Sequence, residues 1–432
     1  MKVKRIIAGI SALTLMASAF SCGSTGSSTV TPENTSASSE NAPASSEAPG
    51  ENTTESTSSD EKTTSSKATT SKSGEEKTTE ASKTTAGDKT VTTTKASGDT
   101  DTKVTTTKKA DTTQAATTAT AELPNDDEPD EKTYTAEISL GSEIKVTGDN
   151  VKVDGSTVRI DAGGSYLFSG KLSDGQIYVS TKTEDKVTLV LNGVDIACGY
   201  GPAIMIDEAK KCTVKVKEGS VNNLSDSMKD KKNDGVIFSN DTLRIKGNGT
   251  LNITANNAHG LSSDDDIIIT NGIININSKK TGISANDDIS ISGGCINITS
   301  GTNGIKSKEA AVNISGGTTC ISGGSKEEKY SVYAYKEFCF TGGYLYAAGS
   351  DSKNLTASDF PYVTADLGSV PGGTPVKVTV NGKEAVSFTP AKDYSELLIL
   401  SQDIAFGSIV EVFTNGSSKG SITVSSGNNK LS

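Results

Sequence analysis

A repeat of about 22 residues restricts this chain to a small number of folds. The segments HGLSSDDDIIITNGIININSKK and TGISANDDISISGGCINITSGT share a glycine–apolar start, an acidic group and an inner glycine turn. Two further copies have Gly235 and Gly304 at the corresponding start. A fixed period of this length predicts a solenoid, in which each repeat stacks on the one before it.

Each repeat has the pattern of three short β-strands. Apolar and polar residues alternate, Gly and Asn stand at the breaks, and no helical pattern of useful length follows residue 133. The chain is therefore predicted to be all-β, with a parallel β-helix whose coils lie about 4.8 Å apart. The side chains predicted to point inward from one coil are Ile283, Ile289, Ile291, Ile296 and Ile298. They would stack on those of the preceding coil, Ile267, Ile269, Ile274 and Ile276.

The first 132 residues differ in composition from the rest. A positive start, MKVKR, precedes the apolar run IIAGISALTLMASAF, so residues 1–21 are predicted to be a lipoprotein signal peptide with Cys22 as the lipidated residue. A plain secretory signal is the alternative. Residues 22–132 are rich in Ser and Thr and nearly lack large apolar side chains, which predicts a disordered linker. The protein is thus expected to be extracellular, on the cell surface, with its lipid as the only membrane contact.

The strand-like part divides in two. Residues 133–350 are predicted to form the parallel β-helix, and residues 351–432 a β-rich C-terminal cap, because the period is lost there while the β pattern continues. Such a cap would cover the open coil edges, which otherwise promote aggregation. The protein is expected to be a monomer.

Charge and composition exclude two kinds of site. The formal net charge of −11 argues against a nucleic-acid partner, whose phosphates need a basic surface. No cysteine or histidine pair has the spacing of a zinc site, and most cysteines are expected to be small buried side chains. The single histidine, His259, is interpreted as structural.

The order of the motifs resembles a known family. VTLVLNGVDI with GPAIMI, VIFSNDTLRIKGNGTLNI and HGLSSDDDIIITNGIININS, followed by FTPAKDYSELLILS and FGSIVEVFTNG, resemble bacterial cell-surface carbohydrate-binding β-helix proteins. That family is similar in architecture to pectate lyases, and the resemblance covers about residues 135–425. It implies a right-handed parallel β-helix, bound calcium and a plant cell-wall polysaccharide, such as cellulose or polygalacturonate, as partner.

Acidic residues recur at one turn of successive coils. The six candidates for calcium ligands are Asp241, Asp264, Asp265, Asp266, Asp287 and Asp288. Carboxylates about 4.8 Å apart repel one another by roughly 3 to 4 kcal/mol at an effective dielectric of about 20. Calcium, which takes several oxygen ligands, would relieve this repulsion. A solvated turn, for which Asp is well suited, is the alternative. The resemblance favours calcium.

Three further groups are candidate carbohydrate contacts. The lysines near the acidic turns would pair with uronate carboxylates, or would serve only solubility and edge protection: Lys279, Lys306 and Lys308. An outward column of asparagines would bond either to sugar hydroxyls or only to itself: Asn252, Asn275 and Asn297. The last tyrosines form either a sugar platform or a half-buried end coil: Tyr330, Tyr333, Tyr335, Tyr344 and Tyr346. Of these, Tyr344 and Tyr346 are the predicted sugar contacts.

The sequence leaves three classes of function open. The preferred prediction is a non-catalytic, calcium-dependent protein that binds plant cell-wall polysaccharide. The first alternative is a calcium-dependent polysaccharide lyase of the pectate type, which needs a base to remove the C5 proton of a uronate. Arg244, near Asp241, is the best candidate for that base. The second alternative is a structural or adhesive surface protein.

Overall fold

The computed structural model describes residues 133–227, 233–324, 329–349 and 352–432. The predicted signal peptide, the lipidation site Cys22 and the predicted disordered linker lie outside the described residues. Every regular element in the described ranges is a β-strand, and these ranges hold no helix able to cross a membrane. The prediction of an all-β chain is confirmed.

The first seven strands lead into the solenoid. They are β1 (Ala136–Leu140), β2 (Lys145–Gly148), β3 (Val151–Asp154), β4 (Thr157–Ile160), β5 (Gly164–Leu172), β6 (Gln176–Ser180) and β7 (Lys186–Cys198). The pairs β1–β2 and β3–β4 are antiparallel, whereas β1–β5, β4–β6 and β5–β7 are parallel. The parallel order of the solenoid is therefore established within this segment.

The next fifteen strands form five coils of three strands each. They are β8 (Ile204–Glu208), β9 (Lys211–Val216), β10 (Val221–Asp226), β11 (Gly235–Ser239), β12 (Leu243–Gly247), β13 (Thr250–Ala255), β14 (His259–Ser263), β15 (Ile267–Ile269), β16 (Ile273–Ser278), β17 (Ile283–Ala285), β18 (Ile289–Ile291), β19 (Cys295–Ser300), β20 (Ile305–Ser307), β21 (Val312–Ile314) and β22 (Thr318–Gly323). Each strand from β8 to β19 pairs in parallel with the strand three places later, which makes three long faces. The predicted parallel β-helix is confirmed.

The core is a stack of aligned isoleucines. Ile289 lies opposite Ile267 on one side and Val312 on the other, and Ile291 lies between Ile269 and Ile314. All of the isoleucines predicted to point inward, in both coils, are buried. β-Branched side chains suit these stacked strands, because they pack well on a pleated surface.

Two glycines of the repeat are required for two different reasons. A Cβ on Gly282, at the start of its coil, would lie 2.4 Å from Cγ2 of Ile298, so the coil closes over this isoleucine only with glycine there. Gly294, at the inner turn, has a φ of +91°, which side chains other than glycine rarely adopt. The recurring glycines of the sequence therefore mark close packing at one corner and backbone conformation at another.

The last ten strands close the solenoid and add a second sheet. They are β23 (Val332–Phe340), β24 (Tyr344–Gly349), β25 (Lys353–Ser358), β26 (Tyr362–Val370), β27 (Val376–Val380), β28 (Lys383–Phe388), β29 (Tyr394–Ser401), β30 (Ile409–Thr414), β31 (Ser417–Thr423) and β32 (Asn428–Leu431). β29 pairs antiparallel with β24 and β26, which ends the parallel order on the third face. Strands β28, β27, β30 and β31 form a separate antiparallel sheet.

The cysteines contribute to packing. Cys198, Cys212 and Cys320 are free and buried, and Cys339 is free and half-buried. Burial raises the pKa of the Cys320 thiol to about 12, so this thiol stays protonated at neutral pH. These four side chains therefore behave as the small buried or half-buried groups that the sequence predicts.

Candidate functional site

The acidic turns are built as a hydrogen-bonded stack. Asp266 Oδ1 accepts from the backbone N–H of Asp288 at 2.9 Å, and Asp288 Oδ1 accepts from that of Ala311 at 2.8 Å. In the same turn as Asp266, Asp265 Oδ2 accepts from the hydroxyl of Thr242, one coil lower, at 2.6 Å. Each of these carboxylates therefore ties its coil to a neighbouring coil.

The other three acidic residues extend this arrangement. Asp241 Oδ2 accepts from the backbone N–H of Ala209 at 2.9 Å, and Asp264 Oδ1 accepts from the amide of Asn286 at 3.1 Å. Asp287 is exposed, and its backbone carbonyl accepts from the hydroxyl of Ser307 at 2.7 Å. The column predicted from the spacing is thus present as a row of turns.

The carboxylates in these turns repel one another. Burial, and then the nearby carboxylates of Asp265, Asp288 and Asp287, raise the pKa of Asp266 above its usual value. A cation would relieve this repulsion. In the described ranges, however, no three His, Cys, Asp or Glu side chains come together in an arrangement that would hold a metal ion. The hydrogen bonds of these carboxylates are those of a structural turn, and calcium binding at these turns stays a prediction.

The asparagine column bonds to itself. The Nδ2 of Asn297 donates to Oδ1 of Asn275, Asn275 to Asn252, and Asn252 to Asn223, each at 2.9 Å. The ladder runs along the outer surface of the third face, where β10, β13, β16 and β19 pair in register. The side-chain amides of Asn252 and Asn275 each use both the oxygen and the nitrogen within the ladder. The geometry therefore favours a structural role for the column over hydrogen bonds to sugar hydroxyls.

The two tyrosines predicted to contact sugar lie near the end of that column, and one of them is inaccessible. Tyr346 is fully buried in a second hydrophobic core, opposite Ile399 of β29. Tyr346 continues the register of the asparagine column through Cys320, but the antiparallel strand β29 covers it. Tyr346 is therefore excluded as a sugar contact. Tyr344 is half-buried, donates to Asp403 at 3.1 Å and accepts from Gln402 at 3.3 Å.

A compact group of lysines and tyrosines lies on the first face, near the end of the solenoid. The lysine–tyrosine patch consists of Lys306, Tyr330, Tyr333, Tyr335 and Lys353. Lys306 and Lys353 come from the strands on either side of Tyr333, and each Nζ lies 4.9 Å from its ring centroid. Tyr330 packs at 6.0 Å, centroid to centroid, from Tyr333. The aromatic faces thus hold two ammonium groups in place through cation–π contacts.

Positive charge is concentrated at this patch. Burial, and then the neighbouring ammonium groups of Lys329, Lys308 and Lys353, hold the pKa of Lys306 below its usual value. Tyr335, two residues beyond Tyr333 on the same strand, is 61% exposed. The patch therefore combines fixed cations with an accessible aromatic ring, on a chain whose formal net charge is −11.

The three predicted lysines have different surroundings. Lys306 belongs to the patch, whereas Lys308 lies at the turn beside it and donates to Oδ1 of Asn286 at 2.8 Å. Lys279 is exposed in the turn between β16 and β17, and the structure does not bring it against the tyrosines. Lys353 was missed because the last coil is irregular: β25 pairs with β23 through register shifts, so the repeat does not predict its position.

Two residues considered for chemistry are held in structural contacts. His259 Nδ1 accepts from the backbone N–H of Thr281 at 3.1 Å, and its Nε2 lies 3.2 Å from Oδ2 of Asp234. Arg244 is 3% exposed and lies on the second face between Thr213 and Ile268. A substrate on the surface does not reach a side chain buried to this degree.

Comparison with known proteins identifies the family to which this chain belongs. The profile of a family described as "Carbohydrate-binding domain-containing protein" matches residues 154–430, which includes the five regular coils and most of the C-terminal part. This chain belongs to that family. The resemblance predicted from the motifs is therefore confirmed, and the lysine–tyrosine patch lies within the matched range.

Two known proteins are similar in sequence to this chain. A carbohydrate-binding domain-containing protein of Acetivibrio thermocellus is 37% identical over 120 residues, which are 26% of this chain and 42% of that protein. The match therefore spans less than half of the relative's length. A solved structure of a polysaccharide lyase-like protein from C. thermocellum, a gadolinium derivative, is 29% identical with a TM-score of 0.48. The aligned region covers 52% of this chain and 94% of the chain in that solved structure.

Proposed function

We propose that this protein is a non-catalytic carbohydrate-binding protein of the cell surface, which binds acidic plant cell-wall polysaccharide at the lysine–tyrosine patch. The observation that carries the proposal is the pair of ammonium groups held at 4.9 Å on the ring of Tyr333. A lipid on Cys22 and the Ser/Thr-rich linker would present this surface away from the membrane.

The patch suits a polymer of uronates. Two ammonium groups from the coils on either side of Tyr333 offer hydrogen bonds to carboxylates. Charge-assisted bonds of this kind contribute about 1.5 to 3 kcal/mol each where they are shielded from water. The exposed ring of Tyr335 offers an apolar surface for the C–H groups of a pyranose. Binding an anion would also stabilise the charged form of Lys306, whose pKa is held down by burial and then by the neighbouring ammonium groups.

Binding is favoured over lyase chemistry by the position of Arg244. A pectate-type lyase needs a base within hydrogen-bond reach of the proton that it removes. Arg244 was the best candidate in the sequence, and its side chain is buried against the second face. Calcium dependence is retained as a prediction, but the proposed binding at the lysine–tyrosine patch does not require a metal.

Binding of polygalacturonate by calorimetry tests this proposal. The variants Lys306→Gln and Tyr335→Ala are expected to weaken binding, and the affinity of the unmodified protein is expected to fall with added salt, because the interaction is electrostatic. Lys419→Gln is the matched control, since Lys419 is exposed on β31, outside the patch. Equal affinity in all four proteins would contradict the proposed site.

The same samples separate binding from catalysis. A lyase produces an unsaturated uronate, which absorbs in the ultraviolet, whereas a binding protein leaves the polymer intact. We expect no increase in absorbance with polygalacturonate and calcium. An increase that is lost in Arg244→Lys would overturn the non-catalytic assignment.

A further inference from the structure

A cleft of about 600 Å³ lies where the last strand of the solenoid meets the C-terminal part of the chain. Its lining consists of Leu355 and residues 358–362, 404–406 and 426–428. None of the residues of the lysine–tyrosine patch contributes to this lining. The end cleft, as we call it, is therefore a second concave surface, separate from the proposed site.

The end cleft has an apolar floor and one projecting aromatic ring. Phe360 is half-buried and packs edge-on against Phe340, with ring centroids 6.2 Å apart, so its orientation is fixed by the core. Phe406 is 81% exposed on the short loop between β29 and β30. An exposed aromatic residue is common on a protein surface. A phenyl ring at the rim of a cleft of this size, however, offers a flat apolar face to a ligand.

The polar groups of the end cleft are acceptors and neutral amides. In the part of the chain that the structure describes, the carboxylate of Asp359 makes no hydrogen bond. Oδ1 of Asn428 accepts from the hydroxyl of Thr364 at 3.2 Å, which leaves its amide N–H groups for a ligand. The described lining contains one carboxylate and no basic side chain. Its charge is thus opposite to that of the lysine–tyrosine patch.

We infer that the end cleft binds a neutral sugar unit, with Phe406 as the stacking surface and Asp359 and Asn428 as hydrogen-bond partners of its hydroxyls. The C–H groups on one face of a pyranose are apolar and weakly positive, so they pack on the negative face of an aromatic ring. A carboxylate accepts two sugar hydroxyls but repels a uronate. The inference rests on the proposed carbohydrate binding for its ligand class and adds a second site of different charge preference.

Calorimetry with two hexasaccharides tests the inference on the full chain. Cellohexaose is the neutral probe and hexagalacturonate the acidic one. Phe406→Ala is expected to weaken binding of cellohexaose about fivefold or more, the loss that corresponds to one aromatic contact. Phe406→Tyr, which keeps the ring, is the matched control and is expected to bind like the unmodified protein. Neither change is expected to alter binding of hexagalacturonate.

The outcomes distinguish this inference from the proposed function. If hexagalacturonate binds through Lys306 but cellohexaose does not bind, or binds equally well to Phe406→Ala, the end cleft is only a gap in packing and the inference is overturned. If cellohexaose binding depends on Phe406 while hexagalacturonate does not bind, the inference stands and the lysine–tyrosine patch is wrong. An Asp359→Asn variant that gains affinity for hexagalacturonate, while keeping the ring of Phe406, would support the charge argument independently.

Discussion

Replacing Ile291 with alanine measures how much one inward side chain contributes to the solenoid. Ile291 is 1% exposed and lies in register between Ile269 and Ile314. Removing its buried carbon atoms costs about 2 to 3 kcal/mol at about 0.8 kcal/mol per methylene. Because parallel pairing on both sides limits collapse of the cavity, we expect a total loss of about 3 to 4 kcal/mol in the free energy of unfolding.

Urea unfolding followed by circular dichroism gives this free energy directly. Ile273→Ala is the matched control, because Ile273 belongs to the preceding repeat but is 44% exposed. We expect the control to lose less than about 1 kcal/mol. Equal losses for the two variants, or a loss below about 1 kcal/mol for Ile291→Ala, would refute the assignment of the inward stack.

Three further predictions concern the turns and the asparagine ladder. If calcium binds, chelation is expected to lower the melting temperature, because free calcium a hundredfold above its dissociation constant stabilises a fold by about 2.7 kcal/mol. The Asp265→Asn, Asp287→Asn double variant should lose this response. An unchanged melting curve in chelator would contradict calcium binding. The raised pKa of Asp266 means that the folded state favours the protonated carboxyl, and this advantage is lost as the pH rises through the folded pKa. In metal-free protein, Asp266→Asn should therefore raise the melting temperature at pH 7 but not at pH 3, and a decrease at pH 7 would show that the carboxylate is favourable. Asn275→Ala removes two ladder bonds and should cost about 1 to 2 kcal/mol of stability without affecting polygalacturonate binding, whereas a loss of binding would make the ladder a sugar contact.

The regular coils could be predicted from the sequence because one constraint acts at every repeat. Inward positions must be apolar, and the corners need glycine, so Ile283 and Gly282 recur at matching places in successive coils. A register error of one residue would turn every isoleucine outward, which makes the assignment of faces secure from pattern alone.

The candidate site could be predicted only in part, because it lies where the repeat ends. Lys306 occupies a regular coil position and is predicted from the repeat, but its partner Lys353 lies on β25, whose pairing with β23 contains register shifts. Tyr346 continues an outward column, yet β29 pairs over it. The hydrogen bonds of the acidic turns, such as Asp266 to the N–H of Asp288, depend on side-chain rotamers that the spacing does not determine.

A crystal structure of the protein with hexagalacturonate bound tests the central claim most directly. The account predicts a uronate carboxylate within hydrogen-bond distance of Nζ of Lys306 or Lys353, with a sugar ring against Tyr335. An oligosaccharide bound instead at the acidic turns through a metal ion, or along the asparagine ladder, would contradict the assignment of the lysine–tyrosine patch as the binding site.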